Sequence, residues 1–384
     1  MPKTPEQLLA GIREIEDWIG AEFDARGAIT ADSEQRAMSQ EILKASDGRN
    51  DCIFDDQGNP SIMVKIPQML LSDLNSDWGE DLHHAFIVNG QPKNIWISKY
   101  QNIIVGSGTD ARAISLRGKD PETDIDFDEA LAACSQKGGN WHLHSNAEWS
   151  AIALRCKANG FWPRGNNSHG NDNSRNSEWG EVSYLYSGVT KGRVYTGTGP
   201  LGWSHDGTPF GIWDYNGNVW EWTSGLRLVD GEIQIIADND AATNPDMSAS
   251  STEWQAIMPD GSLVSPGTTG TLKYDATNTD GSGSIIVSDT VANQSDGSTH
   301  AEELLENISN DGVSIPDAIK QLGLYPVDND HGGDNIWARN AGERLPGRGA
   351  RWHNGSLAGV FALSLFVERS LSDHGFGFRS AFYR

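Results

Sequence analysis

The chain has 384 residues, of which 37% are hydrophobic, with 43 Gly and 14 Trp, so a substantial core can form without metal or disulfide staples. Lys and Arg number 29 against 53 Asp and Glu, and the formal net charge of -24 disfavours nucleic acid and anionic lipid as partners. The three cysteines Cys52, Cys134 and Cys156 are odd in number and far apart, which suits neither a disulfide framework nor a zinc signature. Met1 to Ile12 lacks a basic start and a long apolar run, so no signal peptide is expected, and no stretch is apolar enough for membrane insertion. Synthesis in the cytoplasm is the expectation.

Thr4-Pro5-Glu6-Gln7 carries an N-cap, a first-turn proline and a capping Gln, and Leu8, Ile12, Ile15 and Ile19 then recur at helical spacing. A second helix is expected over about Ser33 to Lys44, followed by turns from Asp47 to Asn59. Residues 1–60 are therefore read as a small helical segment. From Ser61 short alternating runs, Ile62 to Ile66 and Asn94 to Tyr100, predict strands. Two capping boxes, Asp126 to Glu129 and Ser145 to Glu148, open helices with apolar stripes at Phe127, Ala130, Leu131 and Cys134 and at Trp149, Ile152, Ala153 and Cys156. Both are expected to be amphipathic.

Phe161 to Gly225 lacks periodicity and is rich in Gly, Asn, Ser and Trp, so side-chain bonds and aromatic anchors must order it. Its end, Val219 to Trp222, alternates like a strand. Between Leu226 and Asn340 nineteen acidic residues face four basic ones. Leu228 to Ile235 predicts a hairpin around Asp230-Gly231. Residues 239–298 read as an inserted excursion of loops and marginal strands outside the core. Thr299 to Glu302 is expected to cap a short helix through Ile308, and Pro316 to start another. The tail from Ala341 carries six arginines against Glu343, Glu368 and Asp373, which favours docking on the acidic remainder, with strands expected over Gly359 to Leu365 and Gly377 to Tyr383.

Candidate chemistry is sparse. His142 and His144 share one side of an extended segment but lack a third ligand, so a structural role is the simpler reading. His205-Asp206-Gly207 has the residues of an acid-base pair in a common turn sequence. Carboxylate and carbonyl oxygens around Asp214, Asn216, Asn218 and Glu221 are the candidate calcium ligands, nearest Asn218 and Glu221, with an Asx-turn network the simpler alternative. Trp352 to Phe378 mixes aromatic, aliphatic, His and Asp residues at neither helical nor strand spacing, the composition of a contact face for another protein.

Gly217-Asn218-Val219-Trp220-Glu221-Trp222, Arg348-Gly349-Ala350-Arg351-Trp352 and Gly377-Phe378-Arg379 resemble the formylglycine-generating-enzyme (sulfatase-modifying factor) branch of the C-type lectin fold. Trp141-His142-Leu143, Asn146 to Trp149, Asn354-Gly355, Ala358 to Phe361 and Gly377 to Ala381 further resemble the variable proteins of diversity-generating retroelements, often carried by phages and prophages. The resemblance covers roughly Ser61 to Arg384. It implies an α+β fold of C-type-lectin type over 61–384, with a variable region at about 350–376. The enzymes of that branch place two cysteines after the Arg-Gly motif to bind copper; His353 to Gly359 contains none, and neither Asn nor Gly replaces a thiolate. Related iron-dependent enzymes need histidines from a helical partner, and residues 1–60 contain none.

The resemblance implies a noncatalytic binding protein whose C-terminal surface is diversified at template adenines. The positions carried over as variable and ligand-binding are His353, Leu357, Ser364, Phe366, Val367, Leu371, Asp373, His374, Gly375 and Phe376. Trp220, Trp222, Arg348, Trp352, Phe361, Phe378 and Arg379 are implied as scaffold, with Arg379 bonding backbone carbonyls or an internal acid. The expected partner is a protein or other surface ligand on a target cell, and the expected location a virion tail or bacterial surface. No cofactor is required on this reading, calcium being the one candidate. The alternative is an oxygen-dependent metalloenzyme of the same fold with a metal near His353 and His374.

Overall fold

The computed structural model describes residues 3–384. The first helix, Pro5–Arg26, starts on the expected capping box, in which Thr4 and Gln7 bond each other's backbone. The second spans Asp32–Ala45. Ile12, Ile19, Met38 and Ile42 are buried together with Cys52, Ile62, Tyr100, Trp203 and Trp213, so the helices pack on the rest of the chain. A charge joins this contact. Lys99 Nζ donates to Glu16 Oε1 at 2.7 Å, and the Tyr100 hydroxyl to Glu16 Oε2 at 2.7 Å. Both charged side chains are fully buried, and the remaining Lys99 donors reach Asn50 Oδ1 and the Pro209 carbonyl.

The turns expected over 47–59 give way to a strand, Asn50–Phe54, paired antiparallel with Pro60–Ile66. The boundary drawn after residue 60 thus falls inside the strand Pro60–Ile66. Pairing with a neighbour overrides the turn-rich local composition here. From the edge strand Asn50–Phe54 the order runs through Pro60–Ile66 to Ile95–Ser98, Ser380–Tyr383 and Trp141–Leu143, a five-stranded antiparallel sheet with the C-terminal strand inside it. That strand is held on both sides, which places the preceding Arg379 at a fixed depth.

Helices Phe127–Ser135 and Asn146–Ala158 both begin on the expected capping boxes. The first buries the anticipated face, Phe127, Ala130 and Cys134. The second is not amphipathic. Every residue from Asn146 to Leu154 is buried, because its polar side chains find partners inside: Asn146 with Arg348, Glu148 with His142, and Ser150 with the Leu322 carbonyl.

The second sheet is larger, with 13 strands. Its main path runs from Ala301–Leu304 through Asn335–Ala338, Leu363–Val367, Glu343–Arg348, Leu226–Val229, Glu232–Ile235, Lys273–Ala276 and Ile285–Ser288 to Ser309–Asn310. Leu226–Val229 and Glu232–Ile235 form the expected hairpin, with Asp230 and Gly231 at φ 48° and 82°. The excursion expected over 239–298 is corrected: Tyr274, Ala276, Ile285 and Val287 lie in the main core, and their strands extend the sheet. Helix formation from 299 is also corrected, since Ala301–Leu304 pairs with Asn335–Ala338 as a strand and a 3-10 turn follows. The polar, Gly-rich sequence of this acidic region hides strands because their apolar residues are few and spaced by turns.

Trp220–Trp222 sits between Glu343–Arg348, antiparallel, and Phe376–Phe378, parallel. This junction brings the Gly217 to Trp222 segment beside the tail.

Candidate recognition face

Beneath the face lies a layer of buried polar residues. Arg379 is fully buried and grips Glu221 with two bonds, Nε to Oε2 at 2.5 Å and Nη2 to Oε1 at 2.6 Å, while donating to the carbonyls of Ser98 and Trp213. Burial alone disfavours the guanidinium charge, but Glu221 outweighs it and raises the Arg379 pKa. Arg348 is buried without a carboxylate. It bonds Asn146 Oδ1 twice, at 3.0 and 2.6 Å, and the Phe361 and Leu322 carbonyls, and burial pushes its pKa down to about 10.

Asn218 is a second anchor, held at φ 66°. Its Oδ1 accepts from the Val194 N–H at 2.8 Å and from Asn166 Nδ2, and its Nδ2 donates to Gln101 Oε1 at 2.8 Å and to the Val194 carbonyl. Gln101 in turn donates to Glu221 Oε1. The side-chain oxygens of Asn218 and Glu221, the candidate calcium ligands, are therefore engaged, and a cation at Glu221 would face the Arg379 guanidinium. Asn216 Oδ1 accepts from Asn167 Nδ2 and Asp214 Oδ2 from the Gly197 N–H, while Asp214 Oδ1 is buried without a partner among the described residues. Among the described residues no three His, Cys, Asp or Glu side chains converge as metal ligands. His142 bonds Glu148 at 2.9 Å and His144 is buried 3.4 Å from the Tyr215 hydroxyl. Cys52, Cys134 and Cys156 are buried free thiols whose pKa values burial pushes up.

The aromatic scaffold residues Trp220, Trp222, Trp352, Phe361 and Phe378 are all buried. Trp222 Nε1 donates to the Ile125 carbonyl, and the Phe361 N–H donates to Asp334.

The ten residues read as variable divide. His353 is exposed and Leu357 is 36% exposed, while Phe366, Leu371, Asp373 and His374 are half-buried. Ser364, Val367, Gly375 and Phe376 are buried, which corrects the expectation that all ten present themselves to a ligand. Phe376 lies against Trp222, with ring centres 4.7 Å apart, and stacks on Trp220 at 6.0 Å. It also fills the space over Gly347, where a Cβ would come within 2.6 Å of its ring. Ser364 pairs with Trp337 inside the large sheet, and its hydroxyl has no hydrogen-bond partner among the described residues. Gly375 leaves room for Arg351, which a Cβ there would meet at 2.5 Å.

His353 and the half-buried His374 meet the irregular segment between Phe161 and Gly225. The strands Leu185–Tyr186 and Thr190–Lys191 form a small hairpin. His374 stacks on Tyr186, with centres 5.3 Å apart, and touches Tyr184 and Trp352 at 6.0 and 5.6 Å. His353 faces His169 at 6.3 Å and stands edge-on to Trp352. Arg351 and Asp373, 2.7 Å apart, tie the two tail loops together. Arg193 fastens the hairpin side by pairing with Asp120, donating to the His374 carbonyl at 2.7 Å and lying over the Tyr184 ring. Around this junction Trp179, Leu185, Tyr186 and Val189 remain 47%, 48%, 45% and 81% exposed. Tyr184-Leu185-Tyr186-Ser187-Gly188-Val189 carries a signal, a short apolar run followed by a Ser-Gly turn, but its outward direction is a tertiary property.

Phe366 and Leu371 form a separate shallow depression of about 250 Å³ with Arg339, Arg344 and Glu368. His300 stacks on Phe366 at 4.9 Å.

No helix among the described residues is long and apolar enough to cross a membrane. No curated protein matches the chain. Among solved structures, the Major Tropism Determinant P3c Variant is similar over 85% of this chain and 65% of that one, with 11% identity and a TM-score of 0.30. This chain therefore spans less than two thirds of that structure's length. Residues 80–246, which hold both capped core helices and the Gly217 to Trp222 segment, are similar to the sulfatase-modifying factor enzyme 1-like domain, and the architecture built around them is α+β.

Proposed function

We propose that this is a noncatalytic binding protein with a C-type-lectin-type domain that recognises a protein or other surface molecule on a target cell. One observation carries the reading. Imidazole, tyrosine and aliphatic side chains of two tail loops and the 185–191 hairpin form an open face, while the buried polar residues beneath bond one another and the backbone. Exposed apolar and aromatic groups on an acidic chain are costly in water unless a partner covers them, and Tyr, Trp and His suit a recognition surface. The chemistry of an oxidase has no support here, since the three thiols are buried and separate.

On this reading His353, Leu357, Phe366, Leu371, Asp373 and His374 are the positions at which diversification reaches a ligand, with Tyr186, Trp179 and Leu185 as a constant rim. Adenine-directed mutagenesis from a retroelement supplies the diversity, and the chain works on a virion tail or a bacterial surface. No resident metal takes part.

A displayed library tests this directly. Randomising those six positions together and selecting on immobilised lysozyme should yield binders whose melting midpoints lie within about 5 °C of the parent. Randomised chains that mostly fail to fold, or fold and never yield a binder, overturn the proposal. The encoding DNA gives a second check: a neighbouring near-copy of the segment for Trp352 to Arg379, differing at adenines, is expected.

A further inference from the structure

His205-Asp206 found no role in the recognition face. The structure places it at a cavity of about 310 Å³ lined in part by the helix Asn146–Ala158 and walled by Val64, Ile66, Met69, Ile152 and Phe210. His205 Nδ1 accepts the Ile212 N–H at 2.8 Å, so the neutral ring carries its proton on Nε2, which has no bond partner among the described residues. The two acids at the rim are already engaged. Asp206 accepts from Ser204 Oγ, the Thr208 N–H and Thr208 Oγ1, and Asp73 accepts the Leu70 N–H.

The cations are not. Lys65 and Arg155 are exposed at the rim and their side chains make no hydrogen bond or ion pair among the described residues. Arg49 lies 3.8 Å over the Phe210 ring and uses only Nε, toward the Ser46 carbonyl. In a chain of net charge -24, three cations with free donors at this cavity outnumber its two carboxylates, Asp73 and Asp206, by one. An apolar wall with a few convergent donors is the usual form of a small-ligand site.

We propose that this cavity binds a small organic carboxylate, its apolar body against Ile66, Ile152 and Phe210 and its carboxylate among Arg49, Lys65, Arg155 and the Nε2–H of His205. Planar guanidinium groups match a carboxylate with paired donors, and an exposed ammonium adds charge. The site lies apart from the recognition face and stands or falls separately from it.

The test uses the full chain with ¹³C-labelled isoleucine methyl groups, titrated with benzoate and, separately, with benzamide of the same size. Saturable shifts at Ile66 and Ile152 are expected with benzoate, with at least tenfold weaker binding of benzamide. Arg155→Gln and Lys65→Gln, both at exposed positions, should keep the melting midpoint and together weaken benzoate at least tenfold. Shifts confined to other isoleucines, equal binding of the amide, or unchanged affinity in the folded double variant each overturn the proposal. If a variant does not fold, the acid-against-amide comparison on the unaltered chain decides.

Discussion

The layer around Arg379 and Arg348 and the loops that carry His353 and His374 belong to the same C-terminal stretch yet obey different rules. In the layer each charge has several fixed partners: Arg379 makes four bonds, two of them to Glu221. In the loops the side chains stack on one another at the surface, and few hold the backbone in place; the Arg351–Asp373 pair is the exception. Low dielectric makes every buried bond in the layer obligatory, whereas water can replace a lost contact at the face. A protein can therefore change the face without touching the layer, provided that the two are correctly told apart. Phe376 shows why that matters, because it lies among loop residues and belongs to the core.

The sharpest way to break this division is at its buried side. Arg379→Met should cost roughly 3–5 kcal/mol, because Glu221 is left charged and unpaired. Phe376→Ala should cost about 3–5 kcal/mol by opening a cavity against Trp220 and Trp222. Urea unfolding measures both, and a loss below about 1 kcal/mol for Phe376→Ala would return that residue to the recognition face.

A smaller effect concerns pH. Burial pushes the Asp334 carboxyl up to about 7 despite the bond from the Phe361 N–H. The folded chain thus keeps a proton that the unfolded chain releases near 3.8, so stability falls as pH rises from that value through about 7. Asp214, which burial pushes up to about 6, acts in the same direction. Asp334→Asn preserves an acceptor for Phe361 and should remove part of the decline, on the order of 2 kcal/mol between pH 4 and pH 8. Identical pH profiles for the parent and the variant would show that Asp334 is already ionised in the folded chain.

Ser364→Ala removes a buried hydroxyl that has no partner, so it should be neutral or stabilising by up to about 1 kcal/mol in thermal melting. A clear loss would mean that the hydroxyl is satisfied by an ordered water. The smallest changes in stability are expected at the face itself. His353→Ala, Leu357→Ala and Tyr186→Ala should each stay within about 0.5 kcal/mol of the parent. Larger losses would show that these side chains support the scaffold.

Much of the local structure was legible. Thr4, Asp126 and Ser145 announce their helices because a capping box is completed within four residues, and Asp230-Gly231 announces its turn because few residues tolerate that backbone. Arg379, read as bonding backbone carbonyls or an internal acid, bonds both, with Glu221 as the acid. The acidic region misled, since the strands Lys273–Ala276 and Ile285–Ser288 are short and their burial depends on a sheet assembled from distant segments. Of the tail positions read as variable, His353 and Leu357 are exposed and His374 half-buried, whereas Ser364 and Phe376 are buried; Tyr186 and Trp179 are exposed from a segment without periodicity.

Composition and local pattern by themselves determined the acidic character, the capped helices, the hairpin at Asp230 and the lack of a cysteine pair after Arg348. Only the tertiary structure decided which tail residues face water and which partner each buried charge takes. Glu221 and Arg379 are 158 residues apart in the chain, and His374 and Tyr186 nearly two hundred. Such contacts come from how sheets and loops close on one another, and a side chain's exposure is a property of its neighbours in space, which its neighbours in sequence do not specify.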